Sequence, residues 1–486
     1  MSLLVQSAAL AALPQGFMKA GFGEQDFHNT TVLHPLGLAA LAVLAVVTVS
    51  APRRYAVVPF LVMAACISPA QRVVLAGLDF HFLRLLTLAG WLRLVARSEY
   101  RGFRWQKLDT LVVAWAIMST IAQLAREGTA AVLIFRIGRM YDIVGMYVFF
   151  RCTVRTWRDL EIAVRALALL ILPVAVAFAS EKATGRNPFS IFGGVPEFTS
   201  IRYDKLRCQG PFPHPILAGC YFAAWLPLLL TLVWYGGTRF RAVLAATAVT
   251  TIVFATSSST PATGYLAAFA FVLAWPLRRS MAALRWGTVT ALVGLHMVMK
   301  APVWHLISRI SLSKGSTSYH RFLLIDNAIH RYPEWALFGV NSTRHWGHAQ
   351  YDVTNQFVLE AVTGGTLTLL LFVAILVVSF RLVGRTWRLE RNRSRRRMAW
   401  ALGASLAVQC VMFIGVSISH SQQNLMVFFF VLAATGSLHQ HVARQAAAAR
   451  AQRVAEAPHA VGAPGAPAGR SGREHRGRLG PSPAPA

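Results

Sequence analysis

Long apolar stretches recur along almost the whole chain, and they constrain its fold more than any other feature. About thirteen of them approach the 20 residues that an α-helix needs to cross the hydrocarbon core of a bilayer. They fall at residues 31–50, 55–70, 79–96, 109–125, 131–150, 162–180, 214–236, 242–257, 263–277, 286–300, 355–380, 399–417 and 424–438. The sequence therefore predicts an all-α fold, a polytopic transmembrane helical bundle of about 12–14 spans.

The composition excludes an ordinary soluble enzyme. The 486 residues are 55% hydrophobic and 14% charged, whereas globular proteins carry about 25% charged residues. In a soluble protein the formal net charge of +29 would suggest a nucleic acid partner. Here the arginines cluster in short loops beside the apolar stretches, which indicates contact with anionic membrane lipids and no nucleic acid partner.

The basic loops predict the orientation of the spans. They fall at every second connection, and the strongest, at residues 381–397, holds eight arginines and one glutamate. The positive-inside rule places these loops in the cytoplasm. Residues 1–30 and two long outer loops, at about 181–213 and 301–354, then lie outside a transmembrane domain at 31–438. Residues 439–486 form a basic tail with few residues able to build a core, and are predicted to be disordered and cytoplasmic.

The first outer loop ends in a polar segment, residues 202–215, directly before an apolar stretch. It carries the cations Arg202, Lys205 and Arg207, and His214 stands between two prolines. The planar guanidinium group matches phosphate oxygens in a bidentate manner. The segment predicts a phosphate-binding site, and simple contact with lipid headgroups is the alternative.

The second outer loop predicts an amphipathic helix over residues 318–330. Apolar residues at 322, 325 and 329 have helical spacing, so this helix is expected to lie on the membrane. Its polar face would present Arg321 and Asp326. The loop is thus expected to carry a second cation toward the outer surface.

Histidine and aspartate residues follow this helix before the next apolar stretch. His345, His348 and Asp352, with His214 of the first loop, are the candidate general bases, since histidine and a partly desolvated carboxylate titrate near neutral pH. Their spacing does not match a helical metal motif, so no metal is predicted. Hydrogen-bonded loop residues without catalytic roles are the alternative.

Charged residues also fall within the apolar stretches. Arg136, Arg139 and Asp142 are three residues apart in turn, and Arg139 is expected to pair with Asp142 on one helix face. Arg84, in another stretch, is expected to join them. Charges at this depth are costly, so they usually face a cavity or one another. A structural ion pair near a helix end is the alternative.

Three motifs in order resemble the O-antigen ligase and polymerase family of bacterial membrane glycosyltransferases. The first is Arg-Cys-Gln-Gly-Pro-Phe-Pro-His-Pro at 207–215. The second is the helix led by Arg321, followed by Leu-Phe-Gly-Val at 337–340, and the third begins at Asn355. Two departures matter. Thr354 stands where the family commonly has histidine, and Asn341 replaces the second glycine of a turn.

The resemblance implies a metal-independent, inverting glycosyltransferase of a bacterial inner membrane that needs no cofactor. Its substrate would be a polyprenyl-diphosphate-linked glycan, held by residues at the matching outer loops: Arg207, Arg321, Arg202, Arg344 and Asn355. A base near His345 and His348 would deprotonate the acceptor hydroxyl. A chain-length regulator and a flippase are the implied protein partners.

Several functions fit these observations. The expected one is a polymerase of oligosaccharide repeat units in O-antigen-like or exopolysaccharide synthesis. The alternatives are a ligase that transfers the glycan to a lipid acceptor, and a transporter or flippase of lipid-linked glycan, which the intramembrane charges favour. A third alternative makes Cys208 a nucleophile paired with His214.

Overall fold

The computed structural model describes residues 30–75, 78–234, 239–309, 318–419 and 421–456. The predicted N-terminal segment therefore lies almost wholly outside the described residues. The contacts divide the chain into two units, Met1–Arg444 and Gln445–Ala486. Within the second unit, only the helical residues up to Glu456 are described.

The protein is an all-α helical bundle, and every predicted apolar stretch contains a helix. The helices are α1 Pro35–Ser50, α2 Val58–Cys66, α3 Phe82–Ala96, α4 Lys107–Glu127, α5 Ala130–Met140, α6 Met146–Thr153, α7 Trp157–Thr184, α8 Pro215–Leu230, α9 Arg239–Ala255, α10 Ser259–Leu273, α11 Met281–Val298, α12 Leu306–Arg309, α13 Ser318–His330, α14 Tyr332–Trp335, α15 Gln356–Leu389, α16 Arg393–Phe413 and α17 Gln422–Glu456. A π-helical turn, Tyr141–Gly145, joins α5 to α6. Besides short 3-10 turns, the described residues form two small antiparallel hairpins, β1 Arg72–Leu75 with β2 Leu78–His81 and β3 Ser200–Arg202 with β4 Lys205–Arg207.

Six helical segments of the described residues are long and apolar enough to cross a membrane. They are α4, α7, Pro215–Trp234, α11, α15 and Gln422–Gln452, and the apolar helices α1 and α10 are shorter. This identifies a membrane protein. Other helices do not qualify on these terms for physical reasons: α2 has only 9 residues, α5 and α6 are separated by the π turn, and α16 begins among arginines.

Helices α8 and α17 form the centre of the bundle. In each of them, 83% of the most apolar 18-residue segment is buried. α8 packs against α9, α10 and α16. The rings of Trp225 in α8 and Phe430 in α17 meet with centroids 4.9 Å apart. In contrast, α11 has no buried residue in its described length. Its side chains are not packed against the bundle.

The first outer loop is tied to the end of α7. The carboxylate of Glu181 accepts the N–H groups of Gln209 and Gly210, each at 3.0 Å, and the hydroxyl of Thr199 at 3.1 Å. The β3–β4 hairpin turns at Tyr203 and Asp204, whose positive φ values of 52° and 57° are those of a tight two-residue turn. The loop is therefore a folded structure that delivers β4 and residues 208–214 to the start of α8.

The second outer loop folds around α13, which has the predicted bounds but a different buried face. Ser318, Arg321, Leu324 and Ala328 are buried, whereas Ile329 is exposed. The expectation that Arg321 lies on an exposed polar face is therefore wrong. Tertiary packing decides the face, because Leu324 and Ala328 join a small apolar cluster with residues of α15.

The predicted tail at 439–486 begins as helix. α17 continues to Glu456, and its last turns are rich in alanine, the strongest helix former. Residues 457–486 of that tail lie outside the described part of the chain.

Candidate functional site

Two arginines from different outer loops each donate to a hydroxyl at the start of α10. Arg207, in β4, donates to the hydroxyl of Ser258 at 2.9 Å, and Arg321, in α13, donates to the hydroxyl of Thr260 at 2.8 Å. The two hydroxyls are two residues apart at the N-terminus of α10. Free N–H groups at a helix start favour anions. The fold thus places two positively charged guanidinium groups beside a helix N-terminus, which also carries partial positive charge.

Arg321 is buried without an acidic partner among the described residues. Its side chain is 9% exposed, and its Nε has no hydrogen-bond acceptor. Desolvation lowers the pKa of Arg321, and desolvation together with the nearby Arg202 lowers the pKa of Arg207. A buried cation is costly unless an anion compensates it. The arrangement therefore fits an oxygen-rich anion that approaches Arg321 and Arg207 together.

His214 caps α8 near Arg207 and Arg202. Its Nδ1 accepts the backbone N–H of Ile216 at 3.1 Å, so the proton of the neutral ring sits on Nε2. Desolvation and the charges of Arg207 and Arg202 lower the pKa of His214 to about 4. A neutral ring with its remaining nitrogen protonated is a hydrogen-bond donor. This geometry favours a binding role for His214 over that of a general base.

Asn355 and Arg321 both contact the turn after α16. The side-chain oxygen of Asn355 caps α15 by accepting from Val358, and its amide donates to the carbonyl of Ile414 at 3.1 Å. A Cβ placed on Gly415 would lie 3.2 Å from the guanidinium carbon of Arg321. Asn355 is therefore a buried structural support beside the arginine, and Gly415 leaves the space that the guanidinium occupies.

The candidate bases of the second loop lie in different environments. His345 pairs with Glu334 at 2.7 Å, a carboxylate that also accepts from Trp346 and Arg331. These donors lower the pKa of Glu334 to about 2. His348 is exposed. The structure thus ties His345 to a surface cluster and not to the arginines at α10.

Asp352 is linked through its backbone to α13, the helix that carries Arg321. Its backbone carbonyl accepts from Nε2 of His320, the neighbour of Arg321, at 3.1 Å. Its carboxyl is at the surface, and desolvation by the surrounding loop raises the pKa of Asp352. A surface carboxylate with a raised pKa is a suitable proton acceptor.

The two remaining predicted cations lie at the surface. Arg202 is exposed in β3, opposite Lys205 in the hairpin, with its guanidinium over the ring of Tyr203. Arg344 is exposed and stacks over the ring of Tyr351 at 5.7 Å. Neither donates to the hydroxyls at the start of α10 as Arg207 and Arg321 do, although Arg202 is near enough to act on the pKa of His214.

The intramembrane charges pair differently from the prediction. Asp142 accepts two hydrogen bonds from Arg84, at 2.8 and 2.7 Å, while Arg139 donates to the carbonyl of Ser419 at 2.7 Å. The expected pair of Arg139 with Asp142 is therefore wrong, although Arg84 joins the cluster as expected. The π turn that begins at Tyr141 is the reason, since it changes the register between α5 and the residues that follow. Arg136 contacts Gln123 and Ser119 of α4.

The third sequence motif includes a glutamate, Glu360, to which sequence reasoning assigned no role, and this buried residue supports the region. Glu360 accepts from Trp115 at 2.8 Å and from Gln356 at 2.6 Å, and Gln356 also donates to the hydroxyl of Ser419 at 2.9 Å. Ser419 belongs to the turn that Arg139 contacts. A carboxylate inside an apolar stretch was the available signal, since such residues rarely occur without a partner or a role.

Cys208 does not have the properties of a nucleophile. It is fully buried, and desolvation raises the pKa of its thiol to about 12. A reactive cysteine needs a lowered pKa and access to its substrate. The nucleophile hypothesis is therefore dropped.

The chain matches no protein-family model and no curated protein. Within the described residues, no group of three or more histidine, cysteine, aspartate or glutamate side chains is placed to hold a metal ion. The resemblance to the O-antigen ligase and polymerase family thus stays an expectation. The function proposed below rests on the geometry of the site.

Proposed function

We propose that this protein is a membrane glycosyltransferase that acts on polyprenyl-diphosphate-linked glycan. The observation that carries the proposal is the buried Arg321, whose Nε lacks an acceptor and whose guanidinium shares the start of α10 with Arg207. A diphosphate supplies several charged oxygens to such a pair, and it is the leaving group of this reaction class. Fixed cations stabilise the charge that develops on a leaving group.

The proposed reaction is a single inverting displacement. The acceptor hydroxyl attacks the anomeric carbon from the side opposite the diphosphate, and the bond between that carbon and the diphosphate oxygen breaks. The electron pair passes to the diphosphate, which Arg207, Arg321 and the Nε2–H group of His214 hold. The hydroxyl proton passes to a base. We place Asp352 first for that role because of its position beside α13, with His345 and His348 as the alternatives.

The proposal includes a cellular setting. The chain would cross a bacterial inner membrane 12–14 times, with both long loops outside and the C-terminal tail in the cytoplasm, as the arginine-rich connections suggest. Polymerisation of repeat units is the proposed activity, and ligation to a lipid acceptor is its nearest variant. A flippase would supply the substrate and a chain-length regulator would limit the product.

A transporter of lipid-linked glycan is the second candidate, favoured by one observation. Asp142 is buried against Arg84, His81 and Gln422 within the bundle, and buried ionisable groups often line transport pathways. The arginines at α10 weigh against this function because they lie at helix ends in the loops rather than at mid-bundle.

Reconstitution tests the proposal. Purified protein in proteoliposomes receives a polyprenyl-diphosphate-linked oligosaccharide in one leaflet, and the products are resolved by gel electrophoresis. Chain growth is expected, and transfer only to a separate lipid acceptor would assign the ligase instead. Movement between leaflets without any transfer would overturn the enzyme proposal. For variants at Arg207, Arg186→Ala is the matched control. Arg186 is an exposed arginine of the same outer loop as Arg207, with 67% of its side chain accessible.

A further inference from the structure

A second site lies on the other side of α13. A cavity of about 590 Å³ that is open to the surroundings over much of its boundary lies between the C-terminal end of α11 and α13. Phe322, Asp326 and His330 line it from α13, on the side away from the buried face of Arg321 and Leu324. The same helix therefore separates the buried arginine from an open cavity.

Aromatic rings form part of the cavity wall. The ring of Trp304 stacks on that of His296, with centroids 5.5 Å apart and planes 24° apart. Phe322 contacts the edge of His305 at 4.7 Å. These contacts hold Trp304 and Phe322 at fixed positions on the lining. Flat, partly exposed rings of this kind pack against the apolar C–H face of a pyranose ring.

The polar groups of the cavity are held in place and include both hydrogen-bond donors and hydrogen-bond acceptors. Asp326 accepts from the indole N–H of Trp304 at 2.9 Å on Oδ1, and its Oδ2 lies 3.6 Å from Nδ1 of His330. His296 accepts the backbone N–H of Val303 on Nδ1, so its Nε2–H group remains a donor. Lys300 adds an ammonium group at the rim. Hydroxyl groups, which both donate and accept, match this set better than a simple cation or anion does.

We propose that this cavity binds a sugar unit. Aromatic faces together with a carboxylate and an imidazole donor recognise a pyranose by its C–H face and its hydroxyls. Asp326 lies five residues from Arg321 on α13, about 8 Å along the helix axis but on a different helix face. Only the source of the sugar, the lipid-linked substrate or its acceptor, rests on the proposed function.

Saturation-transfer NMR on the full chain in nanodiscs tests the cavity directly. The probes are free glucose, galactose, N-acetylglucosamine, rhamnose and glucuronic acid at millimolar concentration. At least one sugar is expected to receive saturation from the wild-type protein. Asp326→Asn and Trp304→Phe should each weaken its binding about tenfold, because each removes a polar contact from the site. Trp286→Phe is the control, since Trp286 is an exposed tryptophan of α11 outside the cavity.

The outcomes separate this inference from the proposed function. The sugar site would be overturned if no sugar received saturation. It would also be overturned if wild type and both cavity variants gave equal transfer while the variants eluted as the wild type does. Arg321→Met should leave sugar binding unchanged while chain growth is lost. If chain growth fails in every form but the cavity variants still lose the sugar, the site stands and the glycosyltransferase proposal falls.

Discussion

Arg321 combines two demands that conflict in the absence of substrate. Its guanidinium is buried with an unpaired Nε, which costs folding free energy, yet the same group is ready to receive an anion. A residue that burdens the fold in this way is expected to be needed for binding or catalysis. Replacing it should therefore separate stability from activity.

Arg321→Met is expected to keep or raise the thermal unfolding temperature while chain growth falls by about two to three orders of magnitude. The apolar side chain removes a desolvated charge, and the loss of one fixed donor to the leaving group costs roughly that factor in rate. Initial elongation rates and unfolding curves in the same nanodiscs measure both effects. Arg321→Lys should restore only part of the rate, because an ammonium lacks the guanidinium fork. Full activity in Arg321→Met would contradict the diphosphate site.

Gly415→Ala should disturb the same arginine without touching its charge. The added Cβ would lie 3.0 Å from the hydroxyl oxygen of Thr260 and 3.2 Å from the guanidinium carbon of Arg321. The guanidinium must shift, so we expect at least a tenfold loss of elongation rate. Gly287→Ala is the control, because nothing lies within 4 Å of a Cβ at that position on α11. Equal rates in the two variants would show that the placement of Arg321 does not matter.

His214 predicts a pH dependence of stability. Its pKa falls from 6.5 to about 4 on folding, so between these values the unfolded chain binds a proton that the native state does not. Stability is therefore complete above about pH 6.5 and declines as the pH falls toward 4, by up to roughly 3 kcal/mol. Unfolding temperatures between pH 7.5 and 4 measure the decline. His214→Asn, which can still cap α8, should flatten it, whereas the exposed His348→Asn should not; the same slope in all three proteins would refute the assignment.

At the scale of elements, α15 is two helical segments joined at a glycine. Gly365 has a φ of +74°, and a Cβ there would lie 2.0 Å from the carbonyl oxygen of Leu337 in the second outer loop. Gly365→Ala is expected to destabilise the protein by several kcal/mol, because the added Cβ would collide with the backbone of the loop and alanine disfavours a positive φ. Thermal unfolding measures the loss. Gly384→Ala, within the same helix and with only the flexible end of Arg388 at 3.4 Å, should be neutral or stabilising; a similar loss there would point to a general sensitivity of α15.

The sequence predicts these elements better than their contacts. Apolar periodicity gives α13 its observed bounds, because an amphipathic helix is a local property of the chain. The same pattern puts Arg321 on the wrong face, since partners from α15 and the turn at Gly415 decide which side is buried. The π turn before α6 likewise has no local signature, and it separates Arg139 from Asp142. The placement of Arg207 and Arg321 at one helix end depends on hydroxyls of α10 that no motif singles out.

At the scale of the whole molecule, the proposed topology can be tested with two single cysteines. Arg186→Cys lies in the first outer loop and Arg393→Cys at the start of α16, and the apolar helices α8, α9, α10, α11 and α15 lie between them. An odd number of crossings puts the two sites on opposite sides. The five native cysteines are free but buried or half-buried, so an impermeant maleimide should label the new sites preferentially. In intact cells we expect labelling at 186 alone, with labelling at 393 only after permeabilisation. Labelling of both in intact cells would overturn the topology.

The isolation of α11 has a consequence for the sugar cavity. Its 18 residues span about 27 Å, close to the thickness of a bilayer's hydrocarbon core. Since none of these residues is buried against the bundle, under the proposed topology we expect the acyl chains, and not protein packing, to set its tilt and depth. The segment after α11 forms one wall of the cavity. Under that topology the membrane itself becomes a structural component of the cavity, and we expect lipid chain length to set the width of the cavity.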